Sequence, residues 1–145
     1  MTEAPSNETF PDRSAGGEKA ALRFALEAAQ MLRDDKCEDI ILLDVRVLSQ
    51  VTDYIVIGTG TSQRQMASAL DHIEDLGTEQ GFTRHGQDRD ERSLWLLADF
   101  VDVVVHLFEP NARAHYDLEM LWGDAPRLDW ESQRTHTPGS AEPTA

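Results

Sequence analysis

Between residues 18 and 34 the apolar positions Leu22, Leu26, Ala29 and Leu32 recur at helical spacing, which predicts an amphipathic helix from Glu18 to about Asp34. The period then shortens. Residues 39–46 (DIILLDVR) form a short apolar run bounded by charge, and residues 53–59 (DYIVIGT) are rich in β-branched and aromatic side chains, so both read as strands. Ser62 followed by Gln65 is a capping box, opening a helix whose apolar face is Met66, Ala69, Leu70 and Ile73. Gly81 is its predicted stop, and Gly77 weakens its last turn. Residues 82–85 predict a short strand, followed by a charged turn from Gly86 to Arg92. Residues 93–99 and 102–109 read as strands with almost no connection between them, hence an antiparallel hairpin. Pro110 and Asn111 start a third helix running to about Trp122, where Gly123 takes the C′ position with Pro126 beyond it. Trp122 and Trp130 flank that stop and predict an ordered extension packed on the body with Tyr116 and Leu121.

The order is helix, two strands, helix, three strands, helix. It predicts an α/β single domain with a mixed five-stranded sheet and three helices. Three amphipathic helices are few for covering both faces of such a sheet, so one face is expected to stay partly open. Residues 1–17 and 132–145, rich in Pro, Ser, Gly and Thr, are predicted to be disordered segments flanking a domain at 18–131.

Side chains alternate along a strand, and the last two strands separate into two kinds of face. Leu94, Leu96 and Ala98, with Val103, Val105 and Leu107, are purely aliphatic and suit the face beneath the helices. Ser93, Trp95, Leu97 and Asp99, with Asp102, Val104, His106 and Phe108, are mixed and suit a face or edge that meets a partner. Periodicity leaves the blander alternative open: Trp95 filling a core gap and His106 a satisfied structural histidine.

Charge narrows the partner. The 145 residues carry a formal net charge of -14. Residues 1–17 hold three acids and one Arg, and residues 123–145 hold four acids and two Arg, leaving -10 for residues 18–122. The acidic balance is a property of the folded body, opposes direct binding to nucleic acid, and suits a basic partner; ribosomal proteins are one large class of these, and charge alone fits many others. The longest apolar run, Val103 to Phe108, is interrupted by His106 and is far short of the ~20 residues a membrane span needs. Neither a secretory nor a transit signal is legible at the N-terminus. The single cysteine, Cys37, suits a reducing compartment, so a cytoplasmic location is expected.

Catalytic chemistry finds little support. Thr59-Gly60-Thr61-Ser62 lies between a strand and a helix N-terminus, where backbone N–H groups can hold an anion, which raises a nucleotide-binding or nucleotidyltransferase-like enzyme as the alternative function. The segment lacks the glycine spacing and lysine of a phosphate loop, and capping already explains Ser62 and Gln65. Asp99 and Asp102 are three residues apart at a tight turn and read as solvent-exposed turn acids, since two metal-sharing carboxylates belong on one strand face. His72, His85, His106 and His115 lack zinc-ligand spacing, and Cys37 has no second cysteine. No metal, cofactor or catalytic residue is expected.

Several blocks, in order, resemble the ribosomal silencing factor (Iojap-related) family. They are residues 39–45 (DIILLDV), Ser49 to Asp53, residues 57–62 (IGTGTS), Trp95, Asp99, residues 102–106 (DVVVH), Ala112-Arg113, residues 116–119 (YDLE) and Leu121-Trp122. The resemblance spans roughly residues 18–130. It implies a mixed-sheet domain related to nucleotidyltransferases but without their catalytic machinery. It also implies a translational repressor that binds large-subunit ribosomal protein fourteen and obstructs subunit joining when nutrients are scarce. Some members are dimeric, which adds a homodimer to the implied partners. Carried over, the partner surface comprises Trp95, Asp99, Asp102 and His106, joined by Thr59, Thr61 and Ser62. This chain departs from the family at two places. Val101 stands where Gly usually separates the two hairpin acids, and Asp88-Arg89 stands where an acid followed by Gly is usual. A β-branched residue disfavours positive φ, so Val101 predicts a differently shaped turn.

Overall fold

The computed structural model describes residues 17–88 and 95–132. The predicted disorder of the two ends, the face assignment of Ser93 and Leu94, and the departure at Arg89 lie outside the described residues. Helix α1, Gly17–Asp34, presents Ala21, Phe24, Ala25, Ala28, Ala29 and Leu32 to the core, all with 0% exposure. The buried stripe is wider than the leucine spacing predicts, because alanines count weakly in a hydrophobic pattern. Their small size lets the helix lie close on the sheet. After β1 (Glu38–Asp44) and β2 (Tyr54–Thr59) comes α2, Gln63–Glu79. Its cap differs from the predicted box in one bond. The Ser62 hydroxyl accepts from the Gln65 N–H at 3.1 Å, whereas the Gln65 side-chain oxygen takes the N–H of Thr61 at 2.6 Å. Met66, Ala69, Leu70 and Ile73 are buried as the spacing predicts.

The end of α2 is a Schellman motif. Gly81 sits at φ +85, its N–H bonded to the Thr78 carbonyl, while the Phe82 N–H bonds to the Gly77 carbonyl. Gly77 is a packing requirement more than a weakness. A Cβ there would stand 2.9 Å from the Phe82 carbonyl oxygen and 3.2 Å from both the Phe24 and Phe100 rings. The closeness lets Phe24 stack on Phe82 (centroids 4.8 Å) and meet Phe100 edge-on at 5.0 Å.

The sheet has four principal strands and a three-residue edge strand, in the order β1-β2-β5-β4-β3. Here β3 is Gly86–Asp88, β4 is Trp95–Asp99 and β5 is Val103–Phe108. The predicted strand at 82–85 is absent. Phe82 is used by the helix cap, and pairing with β4 begins at Gly86↔Asp99, inside the segment predicted to be a turn. The β2–β5 pair is parallel and the other three are antiparallel. Leu96, Ala98, Val103, Val105 and Leu107 face the main core with α1 and α2. Behind the sheet lies a second cluster of Leu43, Val45, Ile55, Ile57, Phe108, Ala112 and Ala125, edged by Trp95, Leu118 and Trp122.

The third helical segment is interrupted. It runs as α3, Pro110–Tyr116, and α4, Leu118–Leu121, joined at Asp117 with φ 49. Asp117 closes the first piece in a left-handed conformation and caps the second with its side chain, accepting from Met120 N–H. The interruption turns the chain across the second face. Gly123 follows α4 without a positive φ, its N–H bonded to the Met120 carbonyl. The predicted extension is ordered. Asp44 N–H bonds to Pro126, Leu128 N–H bonds to Leu42, and the Trp130 indole donates to the Ile40 carbonyl at 3.0 Å. It thereby covers the open edge of β1. Leu121 takes no part in that packing; it is 69% exposed.

The hairpin between β4 and β5 carries backbone strain. Val101 adopts φ 73, so the turn keeps the geometry that suits glycine although the residue is β-branched. Three hydrogen bonds hold it: Val101 N–H to the Asp99 carboxylate at 2.8 Å, Phe100 N–H to Val103 and Asp102 N–H to Phe100, both 2.9 Å. The branched side chain does not move residue 101 out of the positive-φ region. Relief of ~1–3 kcal/mol of strain, less the extra unfolded-state freedom of glycine, predicts that Val101→Gly stabilises the protein by about 1 kcal/mol. Urea unfolding measures it, and an unchanged or lower midpoint would show that the turn is unstrained.

Candidate functional site

The helices α1 and α2 seal one face of the sheet, so the second face is where a partner has room. On its β1–β2 side that face is covered by α3, α4 and the stretch around Ala125. On its β4–β5 side Trp95, Leu97, Asp99 and Val104 are all partly exposed. Antiparallel register sets Trp95 opposite Phe108 and Leu97 opposite His106, so these side chains share one surface. The fully buried Phe108 is the floor. Trp95 stacks on it with centroids 5.2 Å apart at 25°, and the His106 ring lies 6.2 Å from it at 9°. The Trp95 indole N–H donates to Nδ1 of His106 at 3.0 Å.

That bond fixes the chemistry of the histidine. A nitrogen that accepts must be unprotonated, so the imidazole is neutral with its proton on Nε2. His106 is 8% exposed, and burial pulls its pKa down to about 4 against the opposing field of Asp99. The mixed face therefore has two depths: a buried His106 and Phe108 below, and Trp95, Leu97 and Val104 at the surface.

The other predicted residues separate from this group. Asp102, expected to be an exposed turn acid, is 7% exposed. Its carbonyl accepts from the N–H groups of both Asp53 and Tyr54, anchoring the start of β2, which explains why the turn draws it inward. It lines a cavity of about 380 Å³ with Phe82, Phe100 and Val101, away from Trp95. Asp99 is partly exposed and spends one carboxylate oxygen on the Val101 N–H. Thr61 and Ser62 belong to the α2 cap. The Thr61 N–H and hydroxyl both bond to the Gln65 side chain, and Gly60 is packed so closely that a Cβ would fall 2.1 Å from Met66. The strand-to-helix turn is thus closed by its own side chains.

Thr59 leads to a residue that the sequence reading did not single out. It is 4% exposed, and its hydroxyl accepts from the Arg113 guanidinium at 2.7 Å. Arg113 also bonds to the Asp39 carbonyl and forms a two-pronged pair with Glu119 at 3.1 and 3.2 Å. The guanidinium holds the Glu119 carboxyl below its ordinary pKa. Arg113 and Glu119 are six apart, which is no helical neighbour spacing, and only the break at Asp117 brings them together. Cys37 is buried and its thiol is pushed up to about 11 by burial and by Asp35 and Glu38, which removes it from nucleophilic chemistry at neutral pH. Among the described residues no group of three or more His, Cys, Asp or Glu could hold a metal ion, and no helix is long and apolar enough to cross a membrane.

The sequence and fold have relatives. A family model described as "Ribosomal silencing factor during starvation" matches residues 18–145. The chain belongs to the ribosomal silencing factor family. The ribosomal silencing factor RsfS of Bacillus subtilis is 38% identical over 77% of this chain and 92% of its own. A crystal structure from Chromobacterium violaceum superposes with a TM-score of 0.64 at 35% identity, covering 72% of this chain and 85% of that one. A mouse relative, named for mitochondrial assembly of the ribosomal large subunit, is 33% identical over 63% of this chain and 42% of its own. Family membership carries a ribosome-associated silencing role, and the mixed α/β domain is shared with the solved relative.

Proposed function

We propose that this chain is a translational repressor that binds the large ribosomal subunit through large-subunit ribosomal protein fourteen and blocks subunit joining by occupancy. On this reading it acts in the cytoplasm without turnover, and its domain is related to nucleotidyltransferases but lacks their catalytic machinery. The observation that carries the proposal is the open β4–β5 half of the second face, where Trp95, Leu97, Asp99 and Val104 place an aromatic and two aliphatic side chains beside an acid. An aromatic anchor with an apolar surround suits the centre of an interface, and the acidic body suits a basic partner. The mouse relative, named for assembly of the ribosomal large subunit, points the same way. The nucleotide-handling alternative loses its main support, since Gln65 already takes the Thr61 N–H and Ser62 caps α2.

Co-sedimentation of the purified chain with isolated large subunits tests the reading. Trp95→Ala is expected to weaken binding by about 2 kcal/mol or more, as hot-spot aromatics do. Because Trp95 is half-buried on Phe108, the same change is expected to cost about 2 kcal/mol of stability, to be checked by urea unfolding. Leu97→Lys leaves the core alone and sets a cation against a basic partner, so it should bind weakly while folding normally. If both variants fold and sediment with large subunits as the unaltered chain does, the open face is not the interface.

A further inference from the structure

We propose that His106 is a positioning residue that acts on the partner through Trp95, its Nδ1 acceptor holding the indole in the orientation the partner meets. The inference rests on the reading that the open face binds the ribosome, and it adds a division of labour within that face. His106 is too deeply placed to offer a partner much surface, being 8% exposed beneath its neighbours. Its Nδ1 nevertheless stands 3.0 Å from the indole nitrogen, and an indole has one donor only. Trp95 and His106 lie on adjacent strands two register positions apart, the diagonal at which large side chains reach each other.

Ring contacts set the plane of an indole more firmly than its direction within that plane. Trp95 rests on Phe108 at 25° and on His106 at 34°, contacts that supply area without fixing direction. The directional bond to Nδ1 removes that freedom before the partner arrives, so less side-chain entropy is lost on binding. The bond requires an unprotonated Nδ1, and burial keeps the imidazole neutral with Asp99 as the charge opposing that effect. An apolar residue at 106 would fill the space beneath the sheet surface and leave the indole N–H without this acceptor.

The test compares variants that keep or delete the acceptor. His106→Asn offers a side-chain oxygen near the Nδ1 position; His106→Phe and His106→Leu fill space without one. In the free protein the Trp95 indole N–H is followed by NMR, assigned against Trp95→Phe, for order and solvent exchange. Affinity is read on isolated large subunits. The acceptor-less variants are expected to loosen the indole and bind about tenfold more weakly, and His106→Asn to restore both within about threefold. Two acceptor-less variants are used so that one folded protein is in hand. A folded one with a tightly held indole and normal affinity overturns the proposal, and so does failure of His106→Asn to rescue. If Trp95→Ala and Leu97→Lys both fold and bind normally, the surface reading itself fails. The indole order in the free protein then still reports whether His106 positions Trp95.

Discussion

Arg113→Ala is expected to destabilise the protein by about 3 kcal/mol, because removing one member of a largely buried ion pair leaves the other charge uncompensated. Arg113 is 11% exposed and joins three parts of the chain. It holds the Thr59 hydroxyl at the end of β2, the Asp39 carbonyl where β1 bulges, and the Glu119 carboxylate on α4. Without it Glu119 keeps a weak contact with Arg127 at 3.8 Å, and the α3–α4 unit loses its tether to the sheet. Lysine would not rescue, since one ammonium cannot reproduce a two-pronged carboxylate contact together with two further bonds. Urea unfolding of the alanine and lysine variants tests this. A loss below about 1 kcal/mol, the range of surface pairs, would show that the network is ornamental to stability.

The second large effect is on acid stability. His106 has its folded pKa depressed to about 4 from the ordinary 6.5, so the unfolded chain binds a proton more readily throughout that interval. Stability therefore rises with pH across it. The contribution is complete above about 6.5 and is lost as pH falls toward 4, amounting to about 2–3 kcal/mol between pH 7 and 4.5. Protonation also converts Nδ1 from acceptor to donor and breaks the bond from Trp95. Other shifted groups titrate elsewhere. His72, raised by its bond to Asp35, contributes fully below its unfolded pKa and loses that contribution at higher pH. Asp44 and Glu119, both lowered by arginine partners, lose theirs mainly below the carboxylate range. Unfolding of the unaltered protein and of His106→Asn at pH 7 and 4.5 isolates the effect. The variant should lose far less, and equal losses would mean that His106 is not the titrating group.

The elements themselves were legible in the sequence wherever local periodicity and burial agree. The α1 and α2 spans, the cap at Ser62, the stop at Gly81 and the β4–β5 hairpin follow from residues close in sequence. So does the division of that hairpin into an aliphatic and a mixed face, because strand alternation is fixed by backbone geometry. Family membership was also readable, from blocks whose order no single motif supplies.

Tertiary structure decided what depends on distant partners. A wide alanine stripe became the core face of α1 because the sheet needed a close neighbour, which hydropathy does not weigh. Asp102 went inside because the start of β2 required its carbonyl. Gly86–Asp88 became a strand because β4 had a free edge to pair, although its own residues read as a turn. Val101 kept a positive φ because three hydrogen bonds outweigh its local preference. His106 became a neutral acceptor beneath Trp95, and Arg113 a junction, through contacts made across strands and across the break at Asp117. A residue's pattern settles which element it joins, but its depth, protonation and hydrogen-bond partners depend on what the rest of the chain brings against it.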